Sequence, residues 1–328
     1  MKRKLFVAVE TYPISGRFVI SRGAKTEAVV VTATLAAVAG GVGRGECVPY
    51  SRYGESVQSV VAAIESARGA LEAGADRAAL QHLLPAGAAR NALDCALWDL
   101  EAKRSGVPAH AAAGFDALAP LVTAYTISVG APGEMRAAAE KAAERPLLKI
   151  KLAGEGDEAR LAAVRAGAPD STLIVDANES WDEETLARRL AACADHGVAL
   201  VEQPLPAGRD DILAAIPHPA PICADESVHD RASLASLQGR YDAINVKLDK
   251  TGGLTEALAL ARAAQEMGFA VMAGCMVGTS LAMAPAVLVG QMAAFVDLDG
   301  PLLLARDRVP GLCYDGSTLA PPLPALWG

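Results

Sequence analysis

Between residues 121 and 298 the chain repeats one pattern eight times: a short apolar segment, a polar or charged residue at or near its end, then an amphipathic stretch. Those residues are Thr126, Lys151, Asp176, Glu202, Asp225, Lys247, Cys275 and then Asp297 with Asp299, so successive steps are 25, 25, 26, 23, 22, 28 and 22 residues. One step has the length of one strand, one helix and their connections. A parallel barrel suits eight such units, because it turns every C-terminal strand end toward one mouth and gathers residues far apart in sequence into one pocket.

The spacing predicts strands over 121–129, 147–152, 172–176, 199–202, 222–224, 243–247, 270–273 and 294–298. Between them run helical stripes such as Leu186, Leu190, Cys193 and Ala194, which follow Ser180-Trp181-Asp182-Glu183, a sequence that reads as a capping box. Leu254, Ala257, Leu258, Ala261 and Ala264 form a second stripe. The first third has another texture. Residues 5–10 and 27–35 read as strands of a small antiparallel sheet, and Gly40-Gly41-Val42-Gly43-Arg44-Gly45 reads as a turn-rich connection. Helical spacing follows from 56 to 104, with Val57, Val60, Val61 and Ile64 on one face and Ala92, Cys95, Ala96 and Leu100 on another. The expected organisation is an α+β unit over 1–118 and a barrel over 119–304, with 305–328 packing back on the first unit.

Hydrophobic residues make up 52% of the 328 but aromatics only 4%, so the core must be built of Ala, Val and Leu. No apolar run of 18 residues occurs, and the basic start at Met1-Lys2-Arg3-Lys4 leads into an apolar stretch that Glu10 ends too early for a signal peptide. Six cysteines at 47, 95, 193, 223, 275 and 313 show no metal-binding spacing and fit reduced thiols. A net charge of -8 disfavours nucleic acid. The chain reads as a cytoplasmic protein with a small-molecule partner, no nucleic acid and no membrane; a homo-oligomer is compatible with this reading.

Lys149 and Lys151 alternate within Leu147-Leu148-Lys149-Ile150-Lys151-Leu152, so both ammonium groups point to one face of a strand that is otherwise apolar. Charges in such a strand cost several kcal/mol unless paired, roughly, and they call for partners. Any single strand-end Asp is more often a helix cap than a ligand. Three carboxylates on consecutive units, with lysines on the units before and after, are harder to dismiss. Asp176, Glu202 and Asp225 offer hard oxygen donors with no His or Cys beside them, a set that suits Mg²⁺. Lys151 and Lys247 flank them and suit transfer of a proton next to a carboxylate, while the metal stabilises the resulting enediolate. Lys149 is expected to lower the pKa of Lys151 by like-charge repulsion.

Lys149-Ile150-Lys151, Val175-Asp176-Ala177-Asn178, Val201-Glu202-Gln203-Pro204, Ala224-Asp225-Glu226-Ser227 and Asn245-Val246-Lys247 resemble, in this order and spacing, the muconate-lactonizing subgroup of the enolase superfamily. That superfamily's lysine base with Mg²⁺ is a known pattern. The resemblance runs over essentially the full chain and implies an α/β fold: a (β/α)7β modified TIM barrel with an N-terminal α+β capping domain. Asp297-Leu298-Asp299-Gly300-Pro301 is similar to the dipeptide epimerases of the subgroup, which implies that the two carboxylates bind a substrate α-ammonium group. Tyr50 to Ser56, Pro85 to Asp99 and Lys247 to Gly253 extend the likeness. It further implies that Arg22 meets an acidic side chain, that Thr126, Cys275 and Met276 line the dipeptide, and that murein peptides are the context. Gly278 departs from the glutamate that many members carry after the seventh strand. The implied activity is Mg²⁺-dependent inversion of the C-terminal α-carbon of a dipeptide such as L-Ala-D-Glu or L-Ala-L-Glu, with Lys151 and Lys247 as opposed acid and base. N-acylamino acid racemase and o-succinylbenzoate synthase are rivals on the same barrel, and a non-catalytic ligand-binding barrel is a rival of another class.

Overall fold

A computed structural model describes residues 2–328; Met1, the first residue of the basic start, lies outside the described residues. Two long strands, β1 (Arg3–Ile20) and β2 (Gly23–Ala37), pair antiparallel, and β3 (Val42–Cys47) adds to β2. The glycine-rich stretch is therefore largely strand and not connection. Its glycines allow close packing: a Cβ on Gly43 would lie 2.2 Å from Ala96 O, and one on Gly45 2.1 Å from Ala92 O. The helix so closely approached is α4 (Ala88–Ser105), preceded by α1 (Val57–Ser66), α2 (Arg68–Ala73) and α3 (Arg77–Leu83). Val60, Ile64, Leu71, Leu80, Leu93 and Leu97 bury their apolar faces against Val31 and Leu35 of the sheet.

Eight parallel strands follow: β4 (Tyr125–Ile127), β5 (Leu147–Lys151), β6 (Thr172–Asp176), β7 (Val198–Glu202), β8 (Ile222–Ala224), β9 (Ala243–Val246), β10 (Ala270–Ala273) and β11 (Phe295–Val296). A parallel bridge between Thr123 and Val296 and a hydrogen bond from Ala124 N to Val296 O join the last strand to the first. The stretch expected as one strand over 121–129 divides, because Leu121–Val122 pairs instead with Thr318–Leu319 of the C-terminal segment. Helices α5 (Pro132–Lys141), α6 (Asp157–Gly167) and α7 (Glu183–Asp195) cover the outside of the early strands. The cap of α7 is Asp182, whose carboxylate accepts Thr185 N at 2.8 Å; Ser180 lies two residues too early for the expected box. After β7 and β8 the coverage thins to 3-10 turns at Asp211–Ala215 and Arg231–Ser233 with a single turn at Leu234–Leu237. A one-turn helix α8 (Leu248–Thr251), then α9 (Leu254–Glu266) and α10 (Ser280–Gly290), complete the barrel.

The C-terminal segment reaches the first unit. Trp327 Nε1 donates to Cys95 O, Gly328 N to Asp99 Oδ1, and Arg44 to the carbonyls of Ala325 and Leu326. Arg308 bridges Glu10 and the buried Glu46. No helix among the described residues is long and apolar enough to cross a membrane.

Candidate active site

Alternation along β5 sorts its side chains. Leu148 and Ile150 face the helices, whereas Leu147 packs in the barrel interior with Ala124, Ile174, Leu200, Cys223, Ala243 and Met272. Lys149 and Lys151 take the next two inward positions. In-register pairing places Lys151 beside Asp176 and Asp176 beside Glu202. The Lys149 ammonium, 1% exposed, lies 2.6 Å from Glu202 Oε2, 2.7 Å from Asp297 Oδ2 and 3.4 Å from Asp176 Oδ2. Lys151 Nζ is 2.6 Å from Asp176 Oδ2, and Lys247 Nζ is 2.6 Å from Asp225 Oδ2.

The strand ends open into a cavity of about 310 Å³. Lys151, Lys247, Asp225, Glu226, Thr126, Cys275, Met276, Asp297 and Asp299 line it from the barrel, and Phe18, Arg22, Tyr50 and Tyr53 line it from the first unit. Lys149, Asp176 and Glu202 sit behind that lining. Arg22 reaches over the mouth, where it donates to Glu226 at 2.7 Å, Glu179 at 3.2 Å and the carbonyl of Asn178 at 3.0 Å. Asp299 Oδ2 accepts the backbone N–H of Thr126 at 2.7 Å.

The loops after β6 and β7 hold strained backbone. Asn178, Glu179 and Gln203 have φ of 46, 64 and 35°, conformations that cost a non-glycine residue roughly 1–3 kcal/mol each. Hydrogen bonds hold them there. Asn178 N donates to Asp176 Oδ1 at 2.9 Å, and Gln203 Oε1 accepts both Asp225 N and Ser227 N. Gln203 thus ties the end of β7 to the end of β8 and sets the relative height of Glu202 and Asp225.

Burial opposes charge on Lys149, but Asp297, Glu202 and Asp176 outweigh it and hold its pKa well above the usual lysine range. Lys149 is thereby matched in charge where it stands. Its ammonium group joins Glu202 to Asp297. Glu202 is pushed upward by burial and by Asp176, which its lysine neighbours do not fully counter. Asp299 is pushed upward too, by burial and by Asp297. The mouth thus carries more buried carboxylate than its lysines satisfy.

Whether the trio suits a cation depends on donors and charge. All three offer hard oxygens, and Glu202 Oε2 touches Lys149 without accepting a hydrogen bond. Among the described residues no three carboxylate, imidazole or thiol groups already surround one point at ligand distance, since Asp176 and Asp225 each face an ammonium group. The donor set fits Mg²⁺ in chemistry, with lysines occupying the oxygens that a cation would share.

Several participants escaped the sequence reading. Lys250 Nζ donates to Asp225 Oδ1, Asp225 O and Asn245 O, while Asn245 Nδ2 donates to Glu202 Oε1 at 2.7 Å. The signal for Lys250 was its spacing three residues from Lys247, one helical turn. Glu226, Phe18 and Tyr53 carried no such signal, because their place depends on how the two units meet. At Gly278 a Cβ would lie 3.2 Å from both Glu46 Oε1 and Val48 Cγ2, so the first unit's own carboxylate would crowd a side chain there.

A barrel with these strand ends and an α+β unit over its mouth defines a class. The chain belongs to the mandelate racemase / muconate lactonizing enzyme family of the enolase superfamily: residues 2–114 match the mandelate racemase / muconate lactonizing enzyme N-terminal domain, and residues 134–305 the enolase C-terminal domain-like family. Within it the chain is 50% identical over 314 residues to the L-Ala-D/L-Glu epimerase of Escherichia coli, covering 95% of this chain and 98% of that one. It is 45% identical over 288 residues to an N-acetyl-D-glutamate racemase from Pseudoalteromonas, covering 87% and 91%. An enolase family member from Agrobacterium tumefaciens with homology to dipeptide epimerases, solved with bound sodium and L-Ala-L-Glu, superposes with a TM-score of 0.98 at 55% identity over 99% of this chain and 100% of that one.

Proposed function

We propose that this chain is a cytoplasmic Mg²⁺-dependent dipeptide epimerase that inverts the α-carbon of the C-terminal residue, with L-Ala-D-Glu and L-Ala-L-Glu as its substrates. Residues 1–118 form the capping domain, 119–304 the catalytic barrel, and 305–328 fasten the two. The observation that carries the reading is that Lys151 and Lys247, four strands apart on β5 and at the end of β9, line one cavity on either side of the carboxylate trio. One ammonium group delivers a proton to the face opposite the one from which the other lysine removes it. Asp176, Glu202 and Asp225 would hold Mg²⁺, whose charge stabilises the substrate carboxylate as the α-proton leaves. Asp297 and Asp299 receive the α-ammonium group, Thr126, Cys275 and Met276 line the peptide, and Arg22 leaves Glu226 to meet the acidic side chain. The relative named for L-Ala-D/L-Glu epimerisation and the one solved with L-Ala-L-Glu support this substrate.

A second reading has its own observation. Lys149 already neutralises part of Asp297, which weakens the demand for an ammonium group and favours an N-acylated glutamate, the substrate named for the Pseudoalteromonas relative. Exchange of the α-hydrogen in deuterated water with Mg²⁺, followed by proton NMR, separates the readings. Both diastereomers of Ala-Glu should exchange at least ~100-fold faster than N-acetylglutamate, the share that one charge-assisted contact of about 3 kcal/mol provides. Faster exchange of N-acetylglutamate selects the racemase, and exchange of neither class selects a binding barrel.

A further inference from the structure

Two of the four lysines around the carboxylate trio do not line the cavity: Lys149 on one side and Lys250 on the other. Lys250 is 2% exposed on α8, and its Nζ lies 2.5 Å from Asp225 Oδ1, 2.5 Å from Asp225 O and 2.9 Å from Asn245 O. Three acceptors and no donor surround it. An ammonium group satisfies three acceptors with three N–H bonds, whereas a neutral amine would turn a lone pair on a carbonyl or carboxylate oxygen. The three acceptors thus seat Lys250 as a charged partner of Asp225.

From this arrangement we propose that Lys250 is the resident counter-cation of Asp225: it fixes Oδ1, leaves Oδ2 toward the cavity, and limits how tightly the trio holds a divalent cation. The proposal rests on the reading that Asp176, Glu202 and Asp225 bind such a cation. The contact extends to a second member of the trio, because Asn245, which takes the third proton of Lys250 on its carbonyl, also holds Glu202 Oε1 through Nδ2. Helix α8 cannot drift. Gly252 ends it at φ 74°, where a Cβ would lie 2.4 Å from Arg90 Nε, and Arg90 donates to Thr251 O at 2.7 Å. Asn91 of the same capping helix donates to Asp249 at 2.8 Å. The sequence stretches 85–99 and 247–253 thus meet as one joint that keeps Lys250 on Asp225. Lys250 does not line the cavity, so it is a positioning residue and takes no proton from the reaction.

A fixed positive charge beside the trio opposes a second one, so its removal strengthens cation binding while it leaves a buried carboxylate short of a partner. Calorimetric titration of Mg²⁺ into chelator-treated Lys250→Gln should show affinity at least about tenfold tighter than wild type. In chelator, thermal unfolding of Lys250→Gln should fall by about 5 °C or more, and Lys250→Gln/Asp225→Asn should regain at least half of that loss. Equal or weaker Mg²⁺ affinity in the single variant overturns the proposal, as does a double variant no more stable than the single one. If the single variant fails to fold, a folded double variant supports the pairing and an unfolded one overturns it. Wild-type protein that takes up no Mg²⁺ overturns the cation reading instead, and the chelator comparison, which involves no cation, keeps the two failures apart.

Discussion

The lower and upper layers of the barrel are built by the same strands, two or four residues apart, and they obey opposite rules. Below, Leu147, Ile174, Leu200, Cys223, Ala243 and Met272 close an apolar plug. Above, Lys151, Asp176 and Glu202 fill the corresponding inward positions with charges that are almost wholly buried. The plug gains free energy from burial and would tolerate other apolar residues of similar volume. The charged layer costs free energy to bury, and its pairs return that cost only while every partner stays in place. A barrel can therefore keep stability at one end and chemistry at the other, with the strand's period of two as the only spacer.

The largest effect that sharpens this contrast is at the lysines. Lys151→Ala and Lys247→Ala should each lower kcat for epimerisation by about 10³-fold or more, within the range of a lost general acid or base, and should also lower Tm because Asp176 or Asp225 loses its buried partner. Stereochemistry makes the test specific. Each variant should retain α-hydrogen exchange with one diastereomer only, and full activity in either variant would end the two-base scheme. The converse change is Leu200→Ala in the plug, 1% exposed, which should cost about 2–5 kcal/mol of stability with kcat within twofold of wild type. A large loss of kcat in folded Leu200→Ala would show that the layers are not independent.

The contrast also explains what was legible in the sequence. The charged layer declares itself because a lysine or aspartate in an apolar strand is improbable, and the period of about one β/α unit gives its members in order. The plug is invisible as a plug, since Leu147 and Leu148 look alike although one faces the barrel axis and the other a helix. The partners of Lys149 were hidden for the same reason: alternation places it inward, but the register of β5, β6 and β7 brings Glu202 to it and the closure of the barrel at β11 brings Asp297. Contacts between units were the least legible. Glu226 holding Arg22 and Arg90 gripping α8 join residues more than 150 positions apart, with no local pattern to announce them.

At the rim, where the charged layer meets solvent, effects are smaller. Replacing Arg22, more exposed than any lysine around the trio, by Ala should raise KM for Ala-Glu by roughly 10- to 100-fold, the equivalent of about 1.5–3 kcal/mol for one charged hydrogen bond. Epimerisation of a neutral dipeptide such as Ala-Ala should change less than threefold on this scale. Equal effects on both substrates would remove Arg22 from side-chain recognition and leave it only a fastening between units.

The smallest effect tests whether the cost of buried carboxylate extends beyond the mouth. Asp94 on α4 accepts Thr255 N at 2.9 Å and Thr255 Oγ1 at 2.7 Å, yet burial raises its pKa to about 6, against the lowering by Thr255. Its folded pKa lies above the unfolded value near 3.8, so the folded state holds the proton more firmly. The stability that protonated Asp94 adds is therefore full in acid and lost as pH rises through about 6. Between pH 5 and pH 7 that loss amounts to about 1 kcal/mol. Urea unfolding of Asp94→Asn, which keeps an acceptor for Thr255 but cannot ionise, should show a shallower fall in stability over that interval than wild type. Parallel pH profiles for the two proteins would confine the cost of buried charge to the barrel mouth.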